Sequence, residues 1–150
     1  MIIDELINRL EAFKMKLDSG ELVRRIIKEN DYFIIDLNAE TQLYEQGVNN
    51  LGVSIDDYAP YSELTIEIKE SKGQPTDRVT LRDEGDFHSS FYIEAGAKFF
   101  EVKASDEKTK GLIKKYGRQI LGLTDENIRT LIDEVVLPEI RDALKKAIHG

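Results

Sequence analysis

The sequence predicts an α+β fold with N-terminal helices, a small antiparallel β-sheet that contains a hairpin, and a long C-terminal helix. Apolar residues recur at helical spacing near both ends of the chain, and they alternate with polar residues in its middle. Helical and strand-like segments come in separate runs, which favours an antiparallel sheet over the βαβ alternation of a parallel one. The length of 150 residues predicts a single domain over residues 1–150.

The N-terminal part, residues 1–46, is expected to be helical. Residues 2–17 carry apolar side chains at helical spacing, with acidic residues in the first turn, where the helix dipole favours them. Residues 20–46 predict a second, longer helix that ends at Gly47. A short strand over Phe33–Ile35 is the alternative, but the Glu, Arg, Lys and Gln residues that flank it favour the helix.

The middle part, residues 47–78, is expected to consist of a loop and a strand. Residues 47–63 are rich in Gly, Asn, Asp, Pro and Tyr, which is typical of an irregular connection. Apolar and polar residues alternate over 64–69, and this pattern predicts a half-buried strand. Gly and Pro residues within 71–77 indicate a turn or an exposed loop.

The C-terminal part, residues 79–150, is expected to begin with a hairpin. Residues 91–95 and 99–104 predict two strands, and Gly96-Ala97-Lys98 between them suggests the hairpin turn. One helical turn is predicted in front of the first strand, over 87–90.

Two further helices are predicted after the hairpin. Residues 106–116 predict a short helix that Gly117 stops. Thr124 is a good N-cap for the C-terminal helix, which has acidic residues in its first turn and apolar spacing to the end of the chain. Pro138 lies inside this helix, and we expect it to kink the helix or to start a new one.

Composition argues against several classes of function. The net charge of −8, from 21 basic and 29 acidic residues, disfavours binding to nucleic acid or to an anionic membrane. Without cysteine there is no disulfide, thiol nucleophile or Cys-ligated zinc. No signal peptide and no membrane span are visible, so we expect a soluble protein made in the cytoplasm.

The residue types that could carry chemistry form weak patterns. Asp83, Asp86 and His88 are suitable metal ligands, but their spacing fits no metal motif, and acids beside a turn commonly bond to backbone amides. Paired acids and neighbouring serines are the other candidates for acid–base or nucleophilic work: Asp56 with Asp57, Asp83 with Asp86, and Ser89 with Ser90 beside His88. Capping of turns and helices explains these residues equally well. We therefore predict no catalytic residue, no metal and no cofactor.

Tyrosine is favoured at protein interfaces. Tyr58, Tyr61 and Tyr92 are the candidates for an exposed position there, and ordinary packing inside the domain is the alternative.

Two segments, residues 78–91 and 119–132, resemble tailed-phage virion-morphogenesis proteins of the tail-completion, or head–tail joining, group. In that group a Leu-x-Asp-x-Gly-x-(apolar)-x-x-Ser segment precedes a hairpin, and a Leu-Gly-Leu-Ser/Thr-acidic-acidic segment opens the C-terminal helix. The matching positions here are Leu81, Asp83, Gly85, Phe87 and Ser90, then Leu121, Gly122, Leu123, Thr124, Asp125 and Glu126.

The loop from Tyr58 to Tyr61, followed by Lys69 and Gly73, also looks like the middle loop of this group. The chain departs from the group at Gln119-Ile120, where an Arg or Pro is common. It departs again over 112–117, which stand where a Tyr-Ala-x-x-His-Gln segment is familiar.

The resemblance implies a structural virion protein in the neck or connector, at the head–tail junction. Copies would form a homo-oligomeric ring that docks to portal, connector and tail proteins, with DNA passing through without specific binding. The N-terminal helices offer an amphipathic face for assembly. Three alternatives remain open: a small cytosolic adaptor for one protein partner, a metal-dependent hydrolase built on Asp83, Asp86 and His88, and a different virion ring, such as an adaptor under the portal.

Overall fold

Helices form the N-terminal third of the chain in the computed structural model, which describes residues 2–150. Helix α1 spans Ile3–Asp18, α2 spans Glu21–Glu29 and α3 spans Asp31–Asp36. Helix α3 continues without a break into a π-helix over Leu37–Gln46. The two predicted N-terminal helices are therefore confirmed in position, with a break inside the second.

Asn30 breaks the second predicted helix. Its backbone leaves the helical region, with φ −118° and ψ 24°, and its side-chain amide donates to the Ile26 carbonyl at 2.8 Å. A short polar side chain that bonds nearby backbone competes with the helix in this way. The alternative strand over Phe33–Ile35 is wrong, because Ile34 is fully buried as part of α3.

The strand predicted over 64–69 is also wrong, because this segment forms helix α4, Glu63–Ser71. The Ser62 side chain accepts a hydrogen bond from the Thr65 amide at 3.2 Å and caps the helix. The same six residues contain apolar positions spaced by four as well as by two, so alternation over so short a segment does not separate helix from strand. The connection before α4 holds a short 3₁₀ turn at Ile55–Asp57.

The predicted hairpin is confirmed. Strand β1, Phe91–Ala95, pairs antiparallel with β2, Phe100–Ala104, so that Phe91 lies opposite Ala104 and Ala95 opposite Phe100. The predicted helical turn in front of it is α5, Asp86–Ser89.

The C-terminal helix runs from Asp125 to His149 as three consecutive segments. These are α7, Asp125–Leu131, a π-helical turn over Ile132–Val136, and α8, Leu137–His149. Proline has no N–H, and its ring crowds the carbonyl four residues earlier. The helix accommodates Pro138 by widening in the turn before it, so a new segment starts there, as one of the two predicted outcomes states. Helix α6, Thr109–Tyr116, is the predicted short helix.

The core lies between α2, α3, the π-helix, the hairpin and the segments around Ile55, Val79 and Ile120. Helices α1 and α8 pack against each other, and neither contributes a buried residue. In the described part of the chain, no helix has both the length and the apolar character that crossing a membrane requires.

Candidate functional site

The first of the two segments that carry the resemblance, residues 78–91, contains a strained loop that leads into α5. We call it the first motif segment, and residues 119–132 the second. Leu81 has a φ of 56°, and within residues 2–150 no other residue except glycine has a positive φ. Gly85, at the start of α5, has a φ of 93°, and a side chain there would meet no atom within 4 Å. Glycine is therefore needed at this position for its backbone conformation and not for close packing.

Asp83 and Ser90 stabilise the two ends of this segment in different ways. The Asp83 carboxylate forms an ion pair with the Lys72 ammonium at 2.8 Å, and this hydrogen bond lowers the pKa of Asp83. The Ser90 hydroxyl donates to the Phe87 carbonyl at 2.8 Å. Ser90 therefore bonds to the C-terminal end of α5, while Asp83 ties the loop to the end of α4.

Phe87 and His88 anchor the segment in the core. The Phe87 ring meets the Phe91 ring edge-on, with 4.9 Å between centroids. The His88 Nε2 lies 3.0 Å from the Thr80 carbonyl oxygen, so this nitrogen carries the proton in the neutral ring. Burial lowers the pKa of His88 to about 4, and the ring is therefore neutral near pH 7.

These contacts do not assemble a metal or nucleophile site. Asp83 and Asp86 are exposed, whereas His88 is buried and bonded to the backbone. Within residues 2–150, no three His, Asp or Glu side chains lie close enough together to hold a metal ion. The Ser89 hydroxyl donates to the Asp86 carbonyl at 3.2 Å, as a helix-turn serine does.

The other acidic pair has a structural role. The Asp56 carboxylate accepts a hydrogen bond from the Val79 amide at 3.0 Å, and Asp57 is exposed. This bond ties the 3₁₀ turn to the chain that precedes the motif segment.

The second motif segment is held by two buried amide side chains that the sequence analysis did not single out. Asn38 and Gln42 lie in the π-helix, and neither is exposed to solvent. The Asn38 carboxamide accepts from the Gly122 amide at 2.8 Å and donates to the Ile120 carbonyl at 3.0 Å. It thus supplies partners for backbone groups that would otherwise be buried unpaired.

Gln42 extends this contact to the start of α7. Its Nε2 donates to the Gly122 carbonyl at 2.8 Å, and its Oε1 accepts from the Thr124 amide at 2.9 Å and from Asn127 Nδ2 at 2.8 Å. Thr124 caps α7, since its hydroxyl accepts from the Asn127 amide at 3.2 Å, and the predicted N-cap is confirmed. We call Asn38, Gln42 and the backbone of 120–124 the amide clamp.

The amide clamp explains the Leu-Gly-Leu-Thr sequence. Gly122 has a φ of 125°, a backbone conformation that favours glycine, and a Cβ there would also press on Asn50 Nδ2 at 3.0 Å. Leu123 is buried beside it and Leu121 is half-buried, which fixes the segment in the core. A signal was available in the sequence, because Asn38 and Gln42 are two polar residues spaced by four on an otherwise apolar helix face.

The three candidate interface tyrosines differ. Tyr61 is half-buried, its hydroxyl accepts from the Thr80 amide at 3.0 Å, and Lys69 Nζ lies 4.9 Å from its ring centroid. Tyr58 and Tyr92 are exposed. Only the latter two expose a large part of their side chains to a partner, 46% for Tyr58 and 42% for Tyr92.

Large apolar side chains are exposed at the tip of the hairpin. Phe99 is 63% exposed and separates two open grooves of about 500 and 660 Å³. The first groove lies between α2, the hairpin turn and the C-terminal helix, and Ile128 and Ile132 are exposed along it. We call this first groove, with Phe99 at its edge, the hairpin groove.

A second apolar surface lies on α4. Leu64 is 65% exposed and Ile68 is 46% exposed, and they are one helical turn apart. The glutamates at 63 and 67 are exposed next to them, whereas Lys69 is buried and donates to the Arg82 carbonyl at 3.2 Å. We call Glu63, Leu64, Glu67 and Ile68 the α4 face.

Helix α1 forms a third apolar surface. It packs against α8, but Ile3, Ile7 and Met15 are exposed. Part of the apolar surface of α1 is therefore exposed although the helix packs against α8.

Comparison with known proteins adds no relative, since no protein-family model, no curated protein and no solved structure matches the chain. The resemblance to tailed-phage morphogenesis proteins therefore rests on the two motif segments and their order. In this molecule, both segments contact the core and connect distant parts of the chain.

Proposed function

We propose that this chain is a structural protein of a tailed-phage virion, which acts at the head–tail junction by assembling with copies of itself and docking to connector and tail proteins. The observation that carries the proposal is the exposure of large apolar side chains on three separate surfaces, namely the hairpin groove, the α4 face and α1. Exposed apolar patches with polar rims mark interaction sites on soluble proteins. The location in the virion comes from the resemblance alone.

The motif segments support a structural role for the residues that carry the resemblance. Phe87 and Leu123 are buried, Gly85 and Gly122 adopt backbone conformations that favour glycine, and Thr124 caps α7. Each of them shapes the fold, so a family that kept these residues would keep a scaffold for assembly.

The net charge suits a ring through which DNA passes. With 29 acidic and 21 basic residues, an assembly of many copies carries a large negative charge, which would repel phosphate and let DNA slide without specific binding. The chain would be made in the cytoplasm of the bacterial host and would then join the neck of the virion.

An adaptor that binds one cellular protein is the second candidate. The observation in its favour is the hairpin groove, whose 500 Å³ between helices and hairpin could take the apolar face of a partner helix.

Light scattering over a concentration series, alone and with phage connector and tail proteins, tests the proposal. We expect particles with the mass of a ring, either from the chain alone or on its connector partner. A chain that stays monomeric and binds none of the virion proteins would overturn the proposal. A one-to-one complex with a cellular protein and no self-association would favour the adaptor.

A further inference from the structure

The hairpin groove has a largely apolar lining. Val23, Ile27, Leu131 and Val136 line it, and Phe99 stands at its edge with most of its ring in solvent. Its wall is formed by elements that belong to the core, so the groove exists before any partner arrives.

The rim of this groove carries two basic side chains and one acidic side chain, whereas the chain as a whole is acidic. Arg24 and Lys98 are the basic ones, and Arg118 lines the adjoining groove on the other side of Phe99, which also contains Glu101. None of these three cations makes an ion pair with any residue in the range 2–150. Asp18 is the acidic residue on the same groove.

The α4 face has the opposite character. Leu64 and Ile68 project into solvent, and Glu63, Glu67 and Glu70 are exposed beside them. Among the described residues these three carboxylates have no ion-pair partner either. As a helix of nine residues, α4 is about 13 Å long, a length suited to lying in a groove between helices.

We infer that α4 of one copy lies in the hairpin groove of the next copy. Leu64 and Ile68 would cover the exposed Phe99 and Ile132, and the glutamates would face Arg24, Lys98 and Arg118. The two surfaces share no residue, so the contact is heterologous, and repeating it head to tail produces a ring when the rotation closes. The inference rests on the proposed self-assembly and names the surfaces that carry it.

Charge exchange tests the pairing. Glu67→Lys and Lys98→Glu are each expected to weaken self-association at least tenfold in sedimentation or light scattering, because each brings like charges together. The double variant Glu67→Lys/Lys98→Glu is expected to regain assembly. Mixing the two single variants should also restore assembly, with the two kinds of chain alternating, because the α4 face of each variant is opposite in charge to the hairpin groove of the other. Glu107→Lys and Lys110→Glu, also exposed and outside both surfaces, are the matched controls.

Cysteine pairs provide a second measurement, because the natural chain has no cysteine. A mixture of Leu64→Cys and Phe99→Cys chains is expected to form a disulfide-linked heterodimer under mild oxidation. Leu51→Cys, at a similarly exposed leucine, should not cross-link with Phe99→Cys.

The outcomes separate the inference from the proposed function. Wild-type rings that persist unchanged in Glu67→Lys and in Lys98→Glu, with no cross-link between positions 64 and 99, would overturn the pairing and leave self-assembly standing. A wild-type chain that remains monomeric at every concentration, with and without connector proteins, would overturn both.

Discussion

His88 packs beside the paired rings of Phe87 and Phe91, with its Nε2 on the Thr80 carbonyl. Burial lowers its pKa from 6.5 to about 4, so folding favours the neutral ring. The unfolded chain takes up the proton first as the pH falls, which means that the stabilisation is complete above pH 6.5 and is lost below it, until the folded form also protonates near pH 4.

We therefore expect acid to destabilise the fold through His88. The difference between the two pKa values corresponds to a loss of about 3 kcal/mol in the free energy of unfolding once both forms are protonated. A loss of about 2 kcal/mol is expected by about pH 5. Urea unfolding at about pH 7.5 and about pH 5 measures it. His88→Gln should lower stability at the higher pH and show a smaller change between the two. An equal pH dependence in this variant would contradict the assignment.

The amide clamp gives the second expectation at the scale of single residues. Gln42→Ala leaves the Gly122 carbonyl, the Thr124 amide and the Asn127 side chain without their buried partner. We expect a loss of about 3 kcal/mol in the free energy of unfolding, measured by urea denaturation. Gln46→Ala, at an exposed glutamine of the same helix, should change it by less than about 0.5 kcal/mol. A Gln42→Ala chain as stable as the Gln46→Ala chain would show that the clamp does not hold the fold.

Helix α4 shows how a local signal can mislead at the scale of an element. Alternation over six residues predicted a strand, but Ser62 supplies a cap, and the segment forms a helix outside the two-stranded sheet. The helix then buries Lys69 and exposes Leu64 and Ile68, which reverses the burial that the alternation implied.

The cap of α4 can be tested directly. Ser62→Ala is expected to cost about 1 kcal/mol locally and to speed amide hydrogen exchange in residues 66–69. Ser62→Asp should keep the exchange rates of the wild type, because aspartate caps equally well. Unchanged exchange in Ser62→Ala would mean that the cap contributes little to the helix.

The charge balance belongs to the whole molecule, as does the exposure of apolar groups on separate surfaces. Net charge repels single chains at long range, whereas in the proposed contact the cations of the hairpin groove and the acidic α4 face would attract at short range. Assembly is expected to weaken as salt rises from about 0.05 to about 0.5 M, because ions screen exposed charges. Light scattering in both buffers measures this, and assembly that strengthens with salt would indicate a contact dominated by apolar burial.

The negative net charge also predicts that the protein does not bind DNA. A duplex mixed with the assembled protein at about 0.1 M salt should migrate unchanged in a gel, because phosphate affinity depends on clustered Lys and Arg. Single-stranded DNA is expected to migrate unchanged in the same test. DNA that is retarded in the gel by the protein, and released when salt is added, would contradict the proposal that DNA passes through the ring without binding.

The sequence by itself determined the elements that depend on near neighbours: the N-terminal helices, the hairpin with its turn, the capping Thr124 and the break at Pro138. These follow from periodicity, capping and backbone restriction, which act over a few residues. Only the tertiary structure decided that Asn38 and Gln42 hold the Gly122 backbone, that residues 63–71 form a helix, and that His88 is buried away from Asp83. Each of these features depends on a partner far along the chain or on which of two alternative faces is buried. The spacing of residues within a short segment does not reveal such dependence.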